Sequence, residues 1–117
     1  MCIISNGYNI ASKNRYREYF SSLERLNYTN YRIIILDDNS KDNSIQIFYD
    51  YLKDSTFKIK NRVLLTKSLW QIKSTGHLYY GAKYFCRPDE VIVNVDSDDE
   101  MVGFQTLKVL NVVYQDP

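Results

Sequence analysis

The residues best suited to chemistry are four carboxylates within the five-residue stretch 96–100, namely Asp96, Asp98, Asp99 and Glu100. They directly follow a short apolar run, residues 91–95, which predicts a buried strand that ends where the charge begins. Like charges this close repel one another unless water or a shared cation lies between them. Carboxylate oxygens suit Mg²⁺ or Mn²⁺, ions that usually complete their shell with substrate phosphates. The cluster therefore predicts either a divalent-metal site or a plain solvated turn.

Two other apolar runs also end in residues that could contact a ligand. Residues 32–36, with four consecutive large aliphatic side chains, stop at Asp37 and Asp38. Residues 2–4 lead into a loop in which Tyr8 offers a flat aromatic ring. Candidate ligand-binding residues thus follow three predicted strands.

Amphipathic helices separate these strands. Apolar spacing predicts helices from a cap at Ser12 to Leu26, over 45–52, from a cap at Ser74 to Phe85 and over 104–114, and a further strand over 63–66. A chain that alternates strands and helices forms a parallel sheet covered on both faces by right-handed crossovers. We predict a single α/β domain over residues 1–117, with a Rossmann-like sheet of strand order 3-2-1-4.

This strand order determines where the polar residues meet. Ligands bind outside the carboxyl ends of parallel strands. Strand one would lie between strands two and four, so the tip at Asp37 and Asp38 and the tip at Asp96 would be roughly 10 Å apart. Asn6 and Tyr8 would lie between them as candidate nucleotide contacts. A nucleoside fits this gap if a carboxylate accepts a base N–H, Tyr8 stacks on the ring and the second acidic cluster holds a metal on the diphosphate.

Composition excludes several other function classes. A net charge of +1 provides no field for nucleic acid, and no segment resembles a membrane span or a secretory signal. Cys2 and Cys86 lie in a predicted strand and at a helix end, which favours reduced thiols and a cytoplasmic protein over a disulfide framework. His77 has no second histidine or cysteine nearby, so the sequence gives little support for a zinc site or a Ser-His-Asp triad.

Three segments together resemble a known family. Residues 3–9 (IISNGYN), 33–44 (IIILDDNSKDNS) and 93–99 (VNVDSDD) are similar to the motifs of the nucleotide-sugar-binding half of family 2 glycosyltransferases, which have the GT-A fold. The motifs occur in the family's order, and as a set they are more specific than any one of them.

The resemblance implies a role for each matching residue. Tyr8 corresponds to the aromatic residue that lies on the base, and Asp38 to the acid that accepts the uracil N3–H. The Asp-x-Asp motif would contact the ribose and bind the divalent metal through Asp96 and Asp98, with Asp99 sharing that work. Lys73 falls where many members place a basic residue that faces the phosphates.

A purely structural role is an alternative to ligand binding at several of these positions. Tyr8 can be an aromatic residue at the edge of the core, Lys73 an exposed cation at a helix start, and Asp37 and Asp42 helix caps. The sequence also departs from the family pattern, because Tyr79 replaces the usual asparagine and the glycine before the basic residue is absent.

We therefore predict a donor-binding domain that binds a nucleotide-diphosphate sugar, with a UDP-sugar as the expected donor, through Mn²⁺ or Mg²⁺. The acceptor is unknown. Family members continue into a half that carries the general base, and neither Glu100, beside the metal motif, nor Asp116, near the end of the sequence, is credible in that role. We expect either part of a longer glycosyltransferase or an inactive nucleotide-binding remnant.

Two other ligand sites fit the residues less well. Calcium-loop windows that start at Asp38 and Asp96 lack the glycine at the sixth position and the glutamate at the twelfth. Residues 73–76 lack the preceding glycines that form a P-loop phosphate cradle.

Overall fold

The structure, a computed structural model, describes residues 1–97 and 106–115. The strands are β1 (Cys2–Gly7), β2 (Arg32–Asp37), β3 (Val63–Lys67) and β4 (Ile92–Asn94), and the helices are α1 (Ile10–Lys13), α2 (Tyr16–Glu24), α3 (Ser44–Lys53), α4 (Lys73–Tyr84) and α5 (Thr106–Gln115), with a 3-10 turn at Lys60–Arg62. None of these helices is long and apolar enough to cross a membrane.

Two helices differ from the prediction. Helix α1 begins at Ile10 with Asn9 as its N-cap, so Ser12 lies inside it and does not cap it. The helix expected to run from Ser12 to Leu26 is divided into α1 and α2, because Asn14 adopts a left-handed φ of 54° that ends α1. Helix α4 begins at Lys73, with Ile72 as its N-cap, so Ser74 lies inside the helix instead of capping it.

The four strands form one sheet in the order β3-β2-β1-β4, and every neighbouring pair is parallel. This confirms the predicted α/β fold and strand order. Gly7 pairs with Asp37, and Ile4 pairs with Asn94. The carboxyl ends of β1, β2 and β4 therefore meet at one edge of the sheet, as the candidate site requires.

The larger core lies between one face of the sheet and helices α2, α3 and α5. Ile3, Ile33 and Ile35 are at most 1% exposed and pack in the same cluster as Phe20 and Phe48. Burial of each such side chain contributes about 1.5–3 kcal/mol. These contacts make β1 and β2 a rigid support for the loops at their carboxyl ends.

The opposite face of the sheet is covered by α4. Ile4, Ile34 and Leu36 form a second buried cluster with Phe85 packed against it. A Cβ added at Gly81 would lie 3.1 Å from the side chains of Ile4 and Leu36, so the glycine lets the helix approach the strands closely.

The prediction of two reduced cysteines is wrong, because Cys2 and Cys86 form a disulfide. Helix α4 runs back across the sheet and ends beside the start of β1, which brings the two Cα atoms to 5.8 Å despite a sequence separation of 84. Each cysteine was assigned to the correct element. Pairing depends on how the two elements are placed relative to one another, which the local sequence around each cysteine does not show.

An ion pair closes the amino edge of the sheet. Arg32 Nη2 lies 2.5 Å from Glu90 Oε1, and Arg32 Nε donates to Glu90 Oε2 at 3.1 Å. The hydrogen bonds from Arg32 lower the pKa of Glu90 from 4.5 to about 2. The pair links the start of β2 to the segment that precedes β4.

This pair predicts a specific sensitivity to acid. Because the pKa of Glu90 is lowered on folding, the pair stabilises the protein above about pH 4.5, and this stabilisation is lost as the pH falls to about 2. We expect Arg32→Gln to lower the free energy of unfolding at neutral pH and to flatten its pH dependence in this window, measured by urea denaturation. Lys53→Gln, which removes an exposed cation from α3, should keep the wild-type dependence. Equal acid profiles for Arg32→Gln and wild type would contradict the assignment.

Candidate functional site

The ends of β1, β2 and β4 are joined by backbone hydrogen bonds. Asp38 N donates to Gly7 O at 2.8 Å, and Ser97 N donates to Asn6 O at 3.0 Å. Asn6 therefore lies between the Asp38 tip and the segment that holds Asp96, in the order predicted from the sequence. The structure brings these three site residues to one edge of the sheet.

Gly7 makes this close approach possible. A Cβ at this position would lie 2.0 Å from Ser97 Oγ and 2.9 Å from Ile10 Cγ2. The Ser97 hydroxyl also donates to Asn6 O at 3.0 Å. Only a residue without a side chain lets the loop after β4, which carries Asp96, pack so tightly against β1.

The buried Asp37 organises the loop after β2. Its carboxylate accepts hydrogen bonds from Ser40 N at 2.9 Å and from Ser40 Oγ at 2.5 Å. Ser40 Oγ in turn accepts from Asn9 N at 2.9 Å, and Asn9 Oδ1 accepts from Lys41 N at 2.8 Å. Asp37 thus holds this turn and the loop after β1 together and does not cap α3.

Asp42 contacts the first turn of α3. Its Oδ1 accepts a hydrogen bond from Ser44 N, the first residue of α3, at 3.0 Å. Ser44 Oγ accepts from Ala11 N at 3.2 Å, so the start of α3 is also tied to α1. The N-cap of α3 is Asn43, so Asp42 binds the first N–H of the helix from the position before the cap, and, among the described residues, the Asp37 carboxylate bonds to Ser40 instead of the helix start.

Asp38 is 4% exposed and is bonded to the segment that leads into α4. Its Oδ1 accepts from Ile72 N at 2.7 Å and contacts His77 Nε2 at 2.8 Å, and its Oδ2 accepts from Lys73 N at 3.1 Å. Burial raises the pKa of Asp38, but the hydrogen bonds from Ile72, His77 and Lys73 outweigh it and hold that pKa below its usual value. The carboxylate is therefore fixed at the tip of β2.

His77 is the site residue that sequence reasoning missed. It is 2% exposed and forms the buried contact with Asp38. A signal was present, since His77 lies four residues before Gly81, on the α4 stripe that faces the sheet. Its partner is a carboxylate 39 positions away and not a nearby histidine or cysteine, so residues close in sequence do not indicate the pair.

Lys73 combines a fixed backbone with an exposed side chain. Its φ of 65° lies in the left-handed region that favours glycine, and its N–H is bonded to Asp38. The side chain is exposed at the carboxyl edge of the sheet. Both readings of Lys73, a phosphate contact and an exposed cation at a helix start, are compatible with this position.

Tyr8 and Asp96 are both half-buried at the same edge. Burial raises the pKa of the nearby Tyr19, and the negative charge of Asp96 adds to this rise.

Asp98 and Asp99, the other predicted metal ligands, lie outside the described residues. Within residues 1–97 and 106–115 no three His, Cys, Asp or Glu side chains form a metal-binding group. Asp96 nevertheless supplies a hard oxygen donor of the type that Mg²⁺ and Mn²⁺ prefer.

Several solved structures share this fold, among them S. aureus TarS and a mannosyltransferase. The structure of S. aureus TarS 1–349 with UDP-GlcNAc matches with a TM-score of 0.75 and 20% identity, and the match covers 98% of this chain and 31% of that chain. TarS 1–349 with UDP matches with a TM-score of 0.74 and 20% identity, and the match covers 98% of this chain and 32% of that chain. The mannosyltransferase PcManGT from Pyrobaculum calidifontis, in complex with GDP-Man and Mn²⁺, matches with a TM-score of 0.82 and 16% identity. This match covers 99% of this chain and 32% of that chain. These likenesses show the GT-A fold. The chain spans about a third of the length of PcManGT and of TarS 1–349, and 19% of the longer TarS structure.

The sequence itself identifies the family. No curated protein matches it, but the family model described as Glycosyl transferase family 2 matches residues 8–115. This range includes the acidic segments after β2 and β4 from which the resemblance was drawn. Because the match extends over almost the whole sequence, the chain belongs to glycosyl transferase family 2.

Proposed function

We propose that this chain is the donor-binding domain of a glycosyltransferase and binds a nucleoside diphosphate sugar through a divalent metal. The observation that supports this most directly is the order of Asp38, Asn6 and Asp96 along the carboxyl edge of the sheet. Family membership supports it as well. The TarS 1–349 structures hold UDP or UDP-GlcNAc, and the PcManGT structure holds GDP-Man and Mn²⁺.

In this proposal each residue contacts a different part of the donor. Tyr8 lies against the base and Asn6 contacts the nucleoside, while the Asp38 tip forms the base end of the site. Asp96 contacts the ribose and joins Asp98 and Asp99 in holding Mn²⁺ or Mg²⁺, and the exposed Lys73 side chain pairs with the diphosphate. The metal, when bound, neutralises charge on the departing nucleoside diphosphate.

Transfer of the sugar to an acceptor is proposed for the whole protein, and binding of the donor is proposed for this chain. No residue among those described is assigned as the general base. A cytoplasmic location also stays a prediction, and the Cys2–Cys86 disulfide removes one of the two observations that led to it.

The test is calorimetric titration of the purified chain with UDP, with and without Mn²⁺. We expect saturable binding that requires the metal and is lost in Asp98→Ala, because a ligand of the ion has been removed. Asp89→Ala is the matched control, since it removes an exposed carboxylate near the opposite edge of the sheet. The proposal would be overturned if a chain shown to be folded did not bind UDP. It would also be overturned if the affinity for UDP were the same with and without Mn²⁺ and the same in Asp98→Ala as in wild type.

A further inference from the structure

The segment between β3 and α4, residues 68–72, is attached at both ends to the tip of β2. Ser68 N donates to Asp37 O at 2.9 Å, and Ile72 N donates to Asp38 Oδ1 at 2.7 Å. Trp70 lies two residues from each attachment, so its Cα is within about 7 Å of the Cα atoms of Ser68 and Ile72. The loop therefore holds Trp70 close to the carboxyl edge where the donor is proposed to bind.

Two large apolar side chains on this loop face solvent. Leu69 is 83% exposed and Trp70, the only tryptophan of the sequence, is 67% exposed. Tryptophan is enriched at binding surfaces, where its ring supplies a large apolar contact area together with a polar N–H. Of the two side chains, Trp70 alone offers a π-face to a flat ligand.

The strand order indicates which part of the donor reaches Trp70. Strand β3 lies beyond β2, on the side away from β4 and Asp96. A nucleoside diphosphate whose phosphates are held with the metal at β4 extends its base toward the tips of β2 and β3. The sugar and any acceptor lie at the other end, beside the metal.

We propose that Trp70 stacks on the nucleobase of the donor and approaches it from the β3 side of the site. This inference rests on the proposed donor-binding function and adds Trp70 as a residue on which affinity for the nucleobase depends. Stacking on an aromatic side chain tolerates every base, because each base has a π-face. Trp70 therefore strengthens binding of the base without selecting uracil over guanine.

The single tryptophan makes a direct test possible. Its fluorescence, excited at the red edge where tyrosine does not absorb, is recorded during titration with UDP and Mn²⁺, with free tryptophan amide as the control for absorption by the nucleotide. We expect saturable quenching by UDP and by GDP, and no quenching by ribose 5-phosphate, which lacks a base. The midpoint should match the affinity measured independently by calorimetry.

Variants separate stacking from a general effect on the loop. Trp70→Ala should weaken UDP binding about tenfold, and Trp70→Phe should retain most of the affinity. Leu69→Ala, which truncates the exposed neighbour, should bind as the wild type does. UDP binding that is detected by calorimetry but leaves the fluorescence and the Trp70→Ala affinity unchanged would overturn the role of Trp70 and spare the donor-binding proposal. Failure of the wild-type chain to bind UDP at all would overturn both.

Discussion

Reduction of the Cys2–Cys86 disulfide is expected to lower the free energy of unfolding by about 2–5 kcal/mol. The bond closes a loop with a sequence separation of 84, so the oxidised unfolded chain loses much of the freedom that it has when reduced. It also joins the start of β1 to the end of α4, the helix that covers one face of the sheet. Urea denaturation with and without a reductant measures the difference.

The control for this experiment is a chain without the bond. Cys2→Ala with Cys86→Ala should show the lower stability in both conditions and no response to reductant. Cys2 is fully buried and Cys86 is partly buried, so part of the variant's loss reflects packing, which the reductant experiment on wild type does not include. Equal stability of the oxidised and reduced wild type, with the bond confirmed by mass spectrometry, would contradict the prediction.

The fold was predictable because its signals are local and repeated. Residues 33–36 are four consecutive aliphatic residues that stop at two acids, and this pattern fits a strand buried on both faces. With three similar runs separated by amphipathic helices, the parallel sheet and its order followed from general rules of chain connection. Helix boundaries were less predictable. The interruption at Asn14 depends on a single left-handed residue, which spacing of apolar positions does not detect.

The placement of the candidate site residues was predictable where it depends on position along a strand. It was not predictable where it depends on contacts between distant segments. Asn6, Asp38 and Asp96 follow directly from strand ends that parallel pairing brings together. The contact between Asp38 and His77 joins residues 39 positions apart. The disulfide likewise required α4 to be placed over β1. The sequence does show which face of α4 is buried, but which partner meets that face depends on three-dimensional packing.

Replacement of His77 by alanine is expected to destabilise the protein by about 3 kcal/mol. The imidazole and the Asp38 carboxylate are both nearly completely buried and are 2.8 Å apart. Removal of the ring leaves part of a buried carboxylate without its partner and opens a cavity beneath α4. His77→Gln, which keeps an amide donor on a side chain of similar reach, should recover much of the loss. Tyr79→Ala, an exposed position on the same helix, should cost under about 1 kcal/mol.

A double-mutant cycle with Asp38→Asn tests whether this cost comes from the pair. We expect a coupling energy above about 0.5 kcal/mol between His77→Ala and Asp38→Asn, because each change removes the same contact. The effect should extend to ligand binding, since Asp38 also accepts the backbone N–H groups of Ile72 and Lys73 and so positions the loop that carries Trp70. At temperatures where His77→Ala is fully folded, its affinity for UDP should still fall below that of Tyr79→Ala. Additive stability effects together with unchanged UDP affinity would show that His77 fills space beneath α4 and does not position Asp38.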